Sequence, residues 1–198
     1  MCNHQYEEEF KGLYRNEYLL KDGQHLIVRN PRLGDEQGLV DHMKAVDNET
    51  KFLAREPDEF SFTLEQEREF IKNSLSNENV HFLVGEVGSK IIANCSVGIA
   101  NNNKRYRHRG AMGIAVRKDY WHKGIGKRMM EECIKWCRKK GIEQLELEVV
   151  TQNDRAVSMY KSFGFQIHGT KKHALKYADG SYADEYLMIL FLNDINAN

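Results

Sequence analysis

A basic, glycine-rich segment, YWHKGIGKRMM at Tyr120–Met130, contains the residues of this sequence best suited to hold a phosphate. Gly124 and Gly126 leave the backbone open to a ligand, because no Cβ stands in the way. An apolar periodic segment follows at once, so the turn would sit at the positive end of a helix dipole, where free N–H groups bind anions. A solvated loop between a strand and a helix has the same composition. Three neighbours add positive charge to the turn: His122, Lys123 and Lys127.

Two familiar phosphate motifs do not fit this segment. A Rossmann fingerprint needs a third glycine, and Met129 stands in its place. A Walker A motif needs a glycine where Trp121 stands and a serine or threonine where Arg128 stands. A nucleotide or NAD-type ligand is therefore disfavoured, although the turn by itself does not exclude one.

A second segment, ELEVVTQNDRAVSMYKSFGF at Glu146–Phe165, reads as a strand, a polar cap and a short helix. The strand ends at Val150, Asn153 or Asp154 caps the helix, and Gly164 ends it. An ordinary strand–helix–turn with a tyrosine in the core has the same pattern. Its distance from the glycine turn, and its order after it, are what make the pair of segments informative.

The elements around these segments follow the order β α α β β β α β α β β. Asp35 is a plausible N-cap, Thr63-Leu-Glu-Gln66 has the form of a capping box, and Gly88-Ser89 is a hairpin signal. The fourth and fifth strands should be parallel, joined by a right-handed crossover. The predicted strands are His25–Arg29, His81–Val87, Ile91–Ala100, His108–Arg117, Leu145–Val150, Gln166–Lys171 and Glu185–Phe191, and the predicted helices are Gly34–Val46, Thr63–Ser76, Gly124 to the stop at Gly141, and Asp154–Phe163.

The composition limits the class of protein. A chain of 198 residues predicts one domain over residues 1–198, with residues 1–22 as a possible N-terminal arm of no clear period. Its 29 basic and 29 acidic residues argue against non-specific nucleic-acid binding. No apolar run approaches the ~20 residues of a membrane span, and the N-terminus lacks the apolar core of a signal peptide. Cys133 and Cys137, one helical turn apart, read as buried thiols, so a cytoplasmic protein is expected.

Together the two segments resemble the acetyl-CoA-binding core of the GNAT superfamily of N-acetyltransferases. The first matches strand, then [Arg/Gln]-x-x-Gly-x-Gly/Ala opening a helix, except that Trp121 stands where Arg or Gln is usual. The resemblance implies an α/β (α+β) fold: a mixed, mostly antiparallel seven-stranded sheet with helices on both faces and a central β-α-β acetyl-CoA core. The second segment matches the motif Asn-x-x-Ala-x-x-x-Tyr-x-x-x-Gly-Phe at Asn153, Ala156, Tyr160, Gly164 and Phe165.

The resemblance also implies which residues bind acetyl-CoA. Strand residues would pair with the pantetheine arm, and one of their amides would polarise the thioester carbonyl. Asn153 would hydrogen-bond the arm, with Ala156 in the same motif. The strand residues are Ile114, Ala115 and Val116, and the pyrophosphate cradle is formed by the backbone of Trp121, His122, Lys123, Gly124, Ile125 and Gly126, next to Lys127.

Tyr160 and Glu148 are the predicted catalytic residues. By the resemblance, Tyr160 would protonate the departing thiolate. The amine must be neutral to attack, although free alkylamines have pKa values near 10, so a general base should face the acetyl group. Glu148 matches the glutamate base of relatives that resemble ribosomal-protein N-terminal acetyltransferases, and raising its pKa toward neutrality would require burial. Glu146, on the same strand face, and His108 are the alternatives.

The acceptor should contact parts outside this core, in segments 48–62 and 171–182. Acidic and aromatic residues there would suit a cationic amine, and a small amine and a protein N-terminus stay open. The expected activity is direct acetyl transfer to a primary amine in a ternary complex, without a metal. The alternative is a catalytically silent acyl-CoA-binding module that regulates a partner. Relatives of this kind often pair edge strands, so a homodimer is possible.

Overall fold

The computed structural model describes residues 13–100 and 103–192. Its strands form one sheet in the order β1-β2-β3-β4-β5-β6-β8-β7. Among these strands β5 and β6 run parallel, and every other neighbouring pair runs antiparallel. The elements in chain order are β1 (Arg15–Leu19), β2 (His25–Arg29), α1 (Glu36–Glu49), α2 (Leu64–Ser76), β3 (Val80–Val87), β4 (Lys90–Ile99), β5 (Arg109–Val116), a 3-10 turn (Lys118–Tyr120), α3 (Ile125–Lys140), β6 (Gln144–Val150), α4 (Asp154–Ser162), β7 (Gln166–Lys176) and β8 (Tyr182–Phe191).

Helices cover both faces of the sheet, as predicted. Successive side chains of a strand point to opposite faces, and β3 shows the result. Phe82 packs with Leu39 of α1 and Ile71 of α2. Leu83, the next residue, belongs instead to the cluster that contains Met129 of α3. Each face of the sheet is thus buried by its own helices, and the mixed α/β class predicted from the sequence is confirmed.

The sheet has eight strands in the described residues, one more than predicted. The additional strand, β1, lies in the segment that the sequence left as a possible arm of residues 1–22, and it pairs antiparallel with β2. Most of its side chains are exposed because it is an edge strand, so no alternation of polar and apolar residues marks it. The remainder of that predicted arm, residues 1–12, lies outside the described residues.

The last two strands are longer than predicted, which shortens the turn between them. We predicted strands at 166–171 and 185–191, with a turn over 171–182. Instead β7 continues to Lys176 and β8 begins at Tyr182. The pairing between them shifts between Lys171 and Leu175, where His173 has a positive φ of 51°. Because β7 is an exposed edge strand rich in lysine, its polar sequence reads as a turn.

The helix boundaries show which predicted caps form. Thr63 and Gln66 form the predicted capping box of α2. Asp35 occupies the N-cap position of α1, but its carboxylate binds the guanidinium of Arg29 and caps no helix amide. The Gly88-Ser89 hairpin is confirmed, and both residues have positive φ values of 56° and 63°. The sequence therefore located these termini, whereas the partner of Asp35 depended on the tertiary fold.

The cysteines described by the structure are buried thiols, as predicted for Cys133 and Cys137. Both lie on the face of α3 that packs against the sheet. The sulfur atoms of Cys95 on β4 and Cys133 lie 3.1 Å apart. Burial raises the pKa of the Cys137 thiol to about 12, so this thiol stays protonated and unreactive at neutral pH. Cys2 lies outside the described residues.

A buried histidine on β3 should make the fold sensitive to acid. His81 stacks on Trp136 with ring centroids 5.4 Å apart, and burial lowers its pKa to about 4. An unfolded histidine titrates near pH 6.5, so between these values the unfolded chain binds the proton more tightly and stability falls as the pH falls. We expect the titration of His81 to lower the free energy of unfolding by about 2 kcal/mol between pH 7 and pH 5.

Urea unfolding of the wild type and of His81→Phe at both pH values checks this prediction. Phenylalanine keeps the stacked ring and removes the proton site. The variant should lose less stability between pH 7 and pH 5, while His42, whose pKa burial also lowers to about 4, still titrates in both proteins. Equal losses in the two proteins would contradict the assignment to His81.

Candidate active site

A cavity of about 770 Å³ opens where β5 and β6 separate. These two strands pair only between Arg109–Ala111 and Gln144–Glu146. On its other side β5 stays paired with β4 as far as Val116. The end of β5 therefore has no strand pairing on the side that faces β6. Ile114, Ala115 and Val116, predicted to contact a pantetheine arm, line the cavity there.

The glycine turn forms the adjoining wall of this cavity. Gly124 is the N-cap of α3 in the left-handed conformation, with φ of 83°, and no side chain caps the first turn of the helix. A Cβ on Gly124 would meet no atom within 4 Å, so the space beside it is open to a ligand. Ile125, Gly126 and Lys127 line the cavity with it. The uncapped end of this sixteen-residue helix is of the kind that binds a phosphate group, and phosphate binding here stays a prediction.

One of the predicted cationic side chains is directed elsewhere. The Lys123 ammonium lies 2.8 Å from Asp22 and 3.1 Å from Gln24, and it covers the ring of Tyr120. The other residues predicted to bind acetyl-CoA all line the cavity, and Lys123 does not. His122, whose φ is positive at 63°, lines the cavity. The charge of Lys123 is thus already neutralised by the loop before β2.

Trp121, the departure from the family motif, has two contacts of its own. Its indole Nε1 donates a hydrogen bond to the carbonyl of Val116 at 2.7 Å. The guanidinium of Arg155 lies 3.2 Å from the centroid of its ring, a close cation–π contact. Burial lowers the pKa of Arg155, yet arginine stays charged at neutral pH. A guanidinium is therefore present in this wall, supplied by α4.

Arg155 was not among the residues predicted from the sequence. It lies between Asn153 and Ala156, inside the motif that was recognised, and it lines the cavity. The available signal was chemical: a cation near the predicted phosphate turn, in a chain that lacks Arg or Gln at position 121. The stacking partner could not be read from the sequence, because it depends on how α4 packs beside the turn.

Asn153 has a structural role that limits how it can contact a ligand. Its side-chain oxygen accepts a hydrogen bond of 3.2 Å from the Ala156 amide and caps α4. The oxygen is therefore engaged, and the amide nitrogen of the side chain is the group left to donate. Both residues line the cavity.

Tyr160 lies on α4 with only 7% of its surface exposed, and it lines the cavity. Its ring contacts Phe165, with centroids 5.8 Å apart. Burial raises the pKa of its hydroxyl, with a further contribution from Cys95. The phenol therefore keeps its proton at neutral pH, which is the state that a proton donor requires.

Three carboxylates line the opposite side of the cavity: Glu146, Glu148 and Glu185. Glu146 is bound by Arg109, with Nη2 and Oε2 2.8 Å apart, and this arginine lowers its pKa. Glu148 forms an ion pair with Lys171, and its side chain is 42% exposed. Glu148 is thus in contact with solvent and already paired, and Glu185 had not been selected from the sequence.

His108, the alternative base, is not a wall of the cavity. Its carbonyl accepts hydrogen bonds from the amides of Glu143 and Gln144, at 2.8 and 3.2 Å. These bonds place His108 at the start of the β5–β6 pairing, the end of the pairing opposite to the opening. The structure therefore brings Glu146 and Glu148 into the cavity but leaves His108 outside.

The two segments predicted to meet the acceptor lie against each other. Tyr177 donates a hydrogen bond to the carbonyl of Lys51 at 3.0 Å, and the Ala178 amide donates to Glu56 at 2.9 Å. They enclose a second cavity of about 460 Å³. The two cavities share the wall residues Thr50, Leu53 and Ala54. The second cavity therefore lies next to the first.

Several acidic and aromatic groups of these segments already have partners within the chain. Glu49 accepts from the Lys118 amide at 2.6 Å, and Asp179 accepts from Ser181. The ammonium of Lys51 lies 5.7 Å from the ring of Tyr177, and Lys176 lies at the same distance from Tyr182. The expectation that these loops attract a cationic amine therefore gains no support from their geometry.

Neither a candidate metal site nor a membrane-spanning helix is found among the residues that the structure describes. No group of three or more His, Cys, Asp or Glu residues within 13–100 and 103–192 could hold a metal ion. Over the same residues, no helix is long and apolar enough to cross a membrane.

Residues 46–165, more than half of the chain, match the Acetyltransferase (GNAT) family. The chain belongs to this family, a class of N-acetyltransferases with acetyl-CoA as co-substrate. The resemblance drawn from the glycine turn and the Asn153–Phe165 motif is thereby confirmed. The turn and the motif both fall inside the matched residues.

Two curated relatives are similar to the chain over different lengths. The L-amino acid N-acetyltransferase AaaT of Escherichia coli K12 is 31% identical over 108 residues, which are 54% of this chain and 65% of that protein. A putative [ribosomal protein bS18]-alanine N-acetyltransferase of Bacillus subtilis 168 is 26% identical over 168 residues, 84% of this chain and 96% of that protein.

Solved structures share the fold. An acetyltransferase of the GNAT family from Streptococcus pneumoniae superposes with a TM-score of 0.79 at 31% identity, covering 85% of this chain and 99% of that one. YncA, a putative acetyltransferase from Salmonella typhimurium solved with its cofactor acetyl-CoA, gives a TM-score of 0.75 at 16% identity, covering 87% and 97%.

Proposed function

We propose that this protein transfers an acetyl group from acetyl-CoA to a primary amine by direct attack in a ternary complex. The observation that carries the proposal is the cavity between β5 and β6, which has an uncapped helix end on one wall, a buried tyrosine beside it and carboxylates opposite. The acceptor is a small amine or a protein N-terminus. By their names, the two relatives act on L-amino acids and on an alanine of a ribosomal protein, which supports an amine of this kind.

The binding role falls to the residues that line the cavity on the β5 and α3 side. When bound, acetyl-CoA would supply the acetyl thioester. The backbone of Trp121–Gly126 would hold the pyrophosphate at the uncapped end of α3. Lys127 and Arg155 would add positive charge at this wall, while the ring of Trp121 keeps the guanidinium of Arg155 in place. Asn153 would donate from its side-chain nitrogen.

Proton transfer falls to the two other walls. Tyr160, held protonated by burial, would deliver a proton to the departing sulfur. Glu148 and the carboxylates beside it would take a proton from the acceptor amine, which must be neutral to attack. The two kinds of group face the same cavity from different elements, α4 and the β6–β8 pair.

Thermal unfolding with acetyl-CoA, CoA and NAD(H) tests the binding site, with Gly126→Trp as the variant. A ligand at about 100 times its dissociation constant should add ~2.7 kcal/mol to the stability of the wild type. A Cβ at position 126 already meets the Met159 sulfur at 3.1 Å, so an indole there should fill the cradle. We expect stabilisation by both CoA species in the wild type and none in the variant.

Gly126→Ala is the matched control, because a methyl group requires only a small shift of the flexible Met159 side chain. It should keep most of the stabilisation, and the unliganded melting temperatures show whether each variant folds. If neither CoA species stabilises the wild type, the proposal fails. Selective stabilisation by NAD(H) would instead support a dinucleotide site.

A second candidate function is a catalytically silent acyl-CoA-binding module that regulates a partner protein. The acidic wall of the cavity and the buried Tyr160 disfavour it, since binding alone requires neither. Release of free thiol from acetyl-CoA in the presence of an amine would eliminate it. Binding of acetyl-CoA with no turnover of either a free amino acid or an alanine-terminal peptide would favour it.

A further inference from the structure

The register of the C-terminal strands brings a second carboxylate beside Glu148. Glu148 on β6 lies directly opposite Leu187 on β8, and Glu185 is two residues from Leu187 along that strand. Residues two apart on a strand, and residues directly opposite across a ladder, share one face of a sheet. Lys171 on β7 lies directly opposite Glu185. Glu148, Glu185 and Lys171 therefore form one cluster, and both carboxylates line the cavity.

Within this cluster the positive charge is bound to Glu148. Lys171 forms its hydrogen bond with Glu148, and Glu146 is held by Arg109. Among the described residues, Glu185 has no hydrogen bond to a cation, and it is more buried than Glu148. Of the three carboxylates that line the cavity, Glu185 is thus the one without a cation of its own.

The charge around Glu185 favours its protonated form. The groups that face it are Glu148 on β6, Lys171 on β7 and Tyr177 after β7. Burial raises the pKa of Glu185 and the charge of Glu148 raises it further, while Lys171 opposes the shift. Two carboxylates that share a site cannot both ionise freely, so one of them holds a proton more tightly. A carboxylate whose pKa is raised in this way is a stronger base than an exposed carboxylate, so it is better suited to deprotonate an amine.

We propose that Glu185 is the carboxylate that takes the proton from the acceptor amine, and that Glu148, held by Lys171, is its positioning partner. This inference rests on the proposed acetyl transfer and names the base in it. It differs from the prediction made from the sequence, in which Glu148 itself was the base.

The proton balance of the reaction is consistent with these roles. An ammonium and an acetyl thioester become an amide and a free thiol with the net release of one proton. Glu185 takes that proton to give the neutral amine and passes it to solvent, to which the residue is partly exposed. The nitrogen loses its second proton as the N–C bond forms and the C–S bond breaks. This second proton restores the Tyr160 hydroxyl, which has given its own proton to the sulfur.

Steady-state kinetics of Glu185→Gln, Glu148→Gln and Asp184→Asn test the inference, with thiol release measured from pH 6 to pH 10. The acceptors are L-alanine and an alanine-terminal peptide. Glutamine keeps the size of the side chain and cannot take a proton. We expect Glu185→Gln to lower kcat about 10²-fold at neutral pH while the KM for acetyl-CoA stays unchanged. The deficit should shrink toward pH 10, where the free amine is already neutral.

Asp184→Asn is the matched control. Asp184 precedes Glu185 on the same strand, pairs with Lys172 at 2.7 Å and does not line the cavity. The Asp184→Asn variant loses the same charge as Glu185→Gln does, and its kinetics should match those of the wild type. A purely structural role of Glu185 would give a loss that does not depend on pH, which would overturn the inference. A pH-dependent deficit in Glu148→Gln alone would overturn it as well.

Titration of the Glu185 carboxyl by NMR gives a second readout that does not require turnover. We expect its pKa to lie above the ordinary value of a glutamate and to fall in Glu148→Gln. An ordinary pKa in both proteins would overturn the inference even if the enzyme is active. A wild type that binds acetyl-CoA but acetylates neither acceptor, while Glu185 titrates as expected, would count against the proposed acceptors and not against the pairing of the two carboxylates.

Discussion

Replacing Tyr160 with Phe should lower kcat by about 10²-fold or more and leave the affinity for acetyl-CoA nearly unchanged. The hydroxyl is the one group that this substitution removes, and the ring contact with Phe165 remains. Burial keeps the phenol protonated, so its proton is available to a departing sulfur. Without it, the sulfur must leave as a bare thiolate or take a proton from water. Thiol release, together with thermal stabilisation by acetyl-CoA, separates catalysis from binding.

Tyr106→Phe is the control for this substitution. Tyr106 loses the same hydroxyl, but it is 44% exposed and does not line the cavity. Its kcat should equal that of the wild type. An unchanged kcat in Tyr160→Phe would show that another group or water protonates the sulfur. A rate restored by higher acetyl-CoA concentrations would make Tyr160 a binding residue.

The second large effect concerns stability and involves Arg29, which does not line the cavity. Arg29 is 6% exposed and binds two buried carboxylates, Asp35 at 2.6 Å and Glu86 at 2.7 Å. Replacing it with Met keeps an unbranched chain but leaves the buried Glu86 without its cation and Asp35 with only the more distant Arg32, at 3.7 Å. Breaking such a buried network typically costs about 3–5 kcal/mol. Urea unfolding at neutral pH should show a loss of this size in Arg29→Met.

Arg15→Met, on β1, provides the comparison. Arg15 pairs with Glu17 at 3.5 Å, and both side chains are about half exposed. Solvent screens such a pair, so the change should stay within about 1 kcal/mol. Similar losses in the two variants would show that Arg29 contributes no more than a surface ion pair does. Because Asp35 directly precedes α1 and its carboxylate is held by Arg29, Arg29→Met should also loosen the start of that helix in hydrogen exchange.

The parts of the site that could be predicted are those encoded locally in the chain. The glycine turn, the Asn153–Tyr160 helix and the buried face of α3 each depend on residues within a few turns of one another, so their spacing was enough. Glu185 could not be found in this way. Its place beside Glu148 depends on β8 entering the sheet between β6 and β7, and strand order of this kind leaves no local trace in the sequence.

Charge was the property that the sequence predicted least well. The sequence predicts that Lys123 places a positive charge beside the glycine turn. In the structure its ammonium pairs instead with Asp22 in the loop before β2. The sequence predicts that the rings of Tyr177 and Tyr182 are available to a cationic amine. In the structure, lysines of the same chain lie over both rings. The sequence gives the number of charges, whereas the fold decides which of them are already paired.

The brief pairing of β5 with β6 divides the sheet into two parts that are joined by a short parallel seam. One part carries β5 and, through α3, the phosphate turn; the other carries β6 and β8 with Glu148 and Glu185, and α4 with Tyr160 follows from it. The proposed thioester-binding wall and the proposed proton-handling groups therefore lie on opposite sides of this seam. A change in the strand pairing at Arg109–Ala111 would alter the distances across the cavity, so the seam and the contact of Trp121 with Arg155 together fix how the two sides face each other.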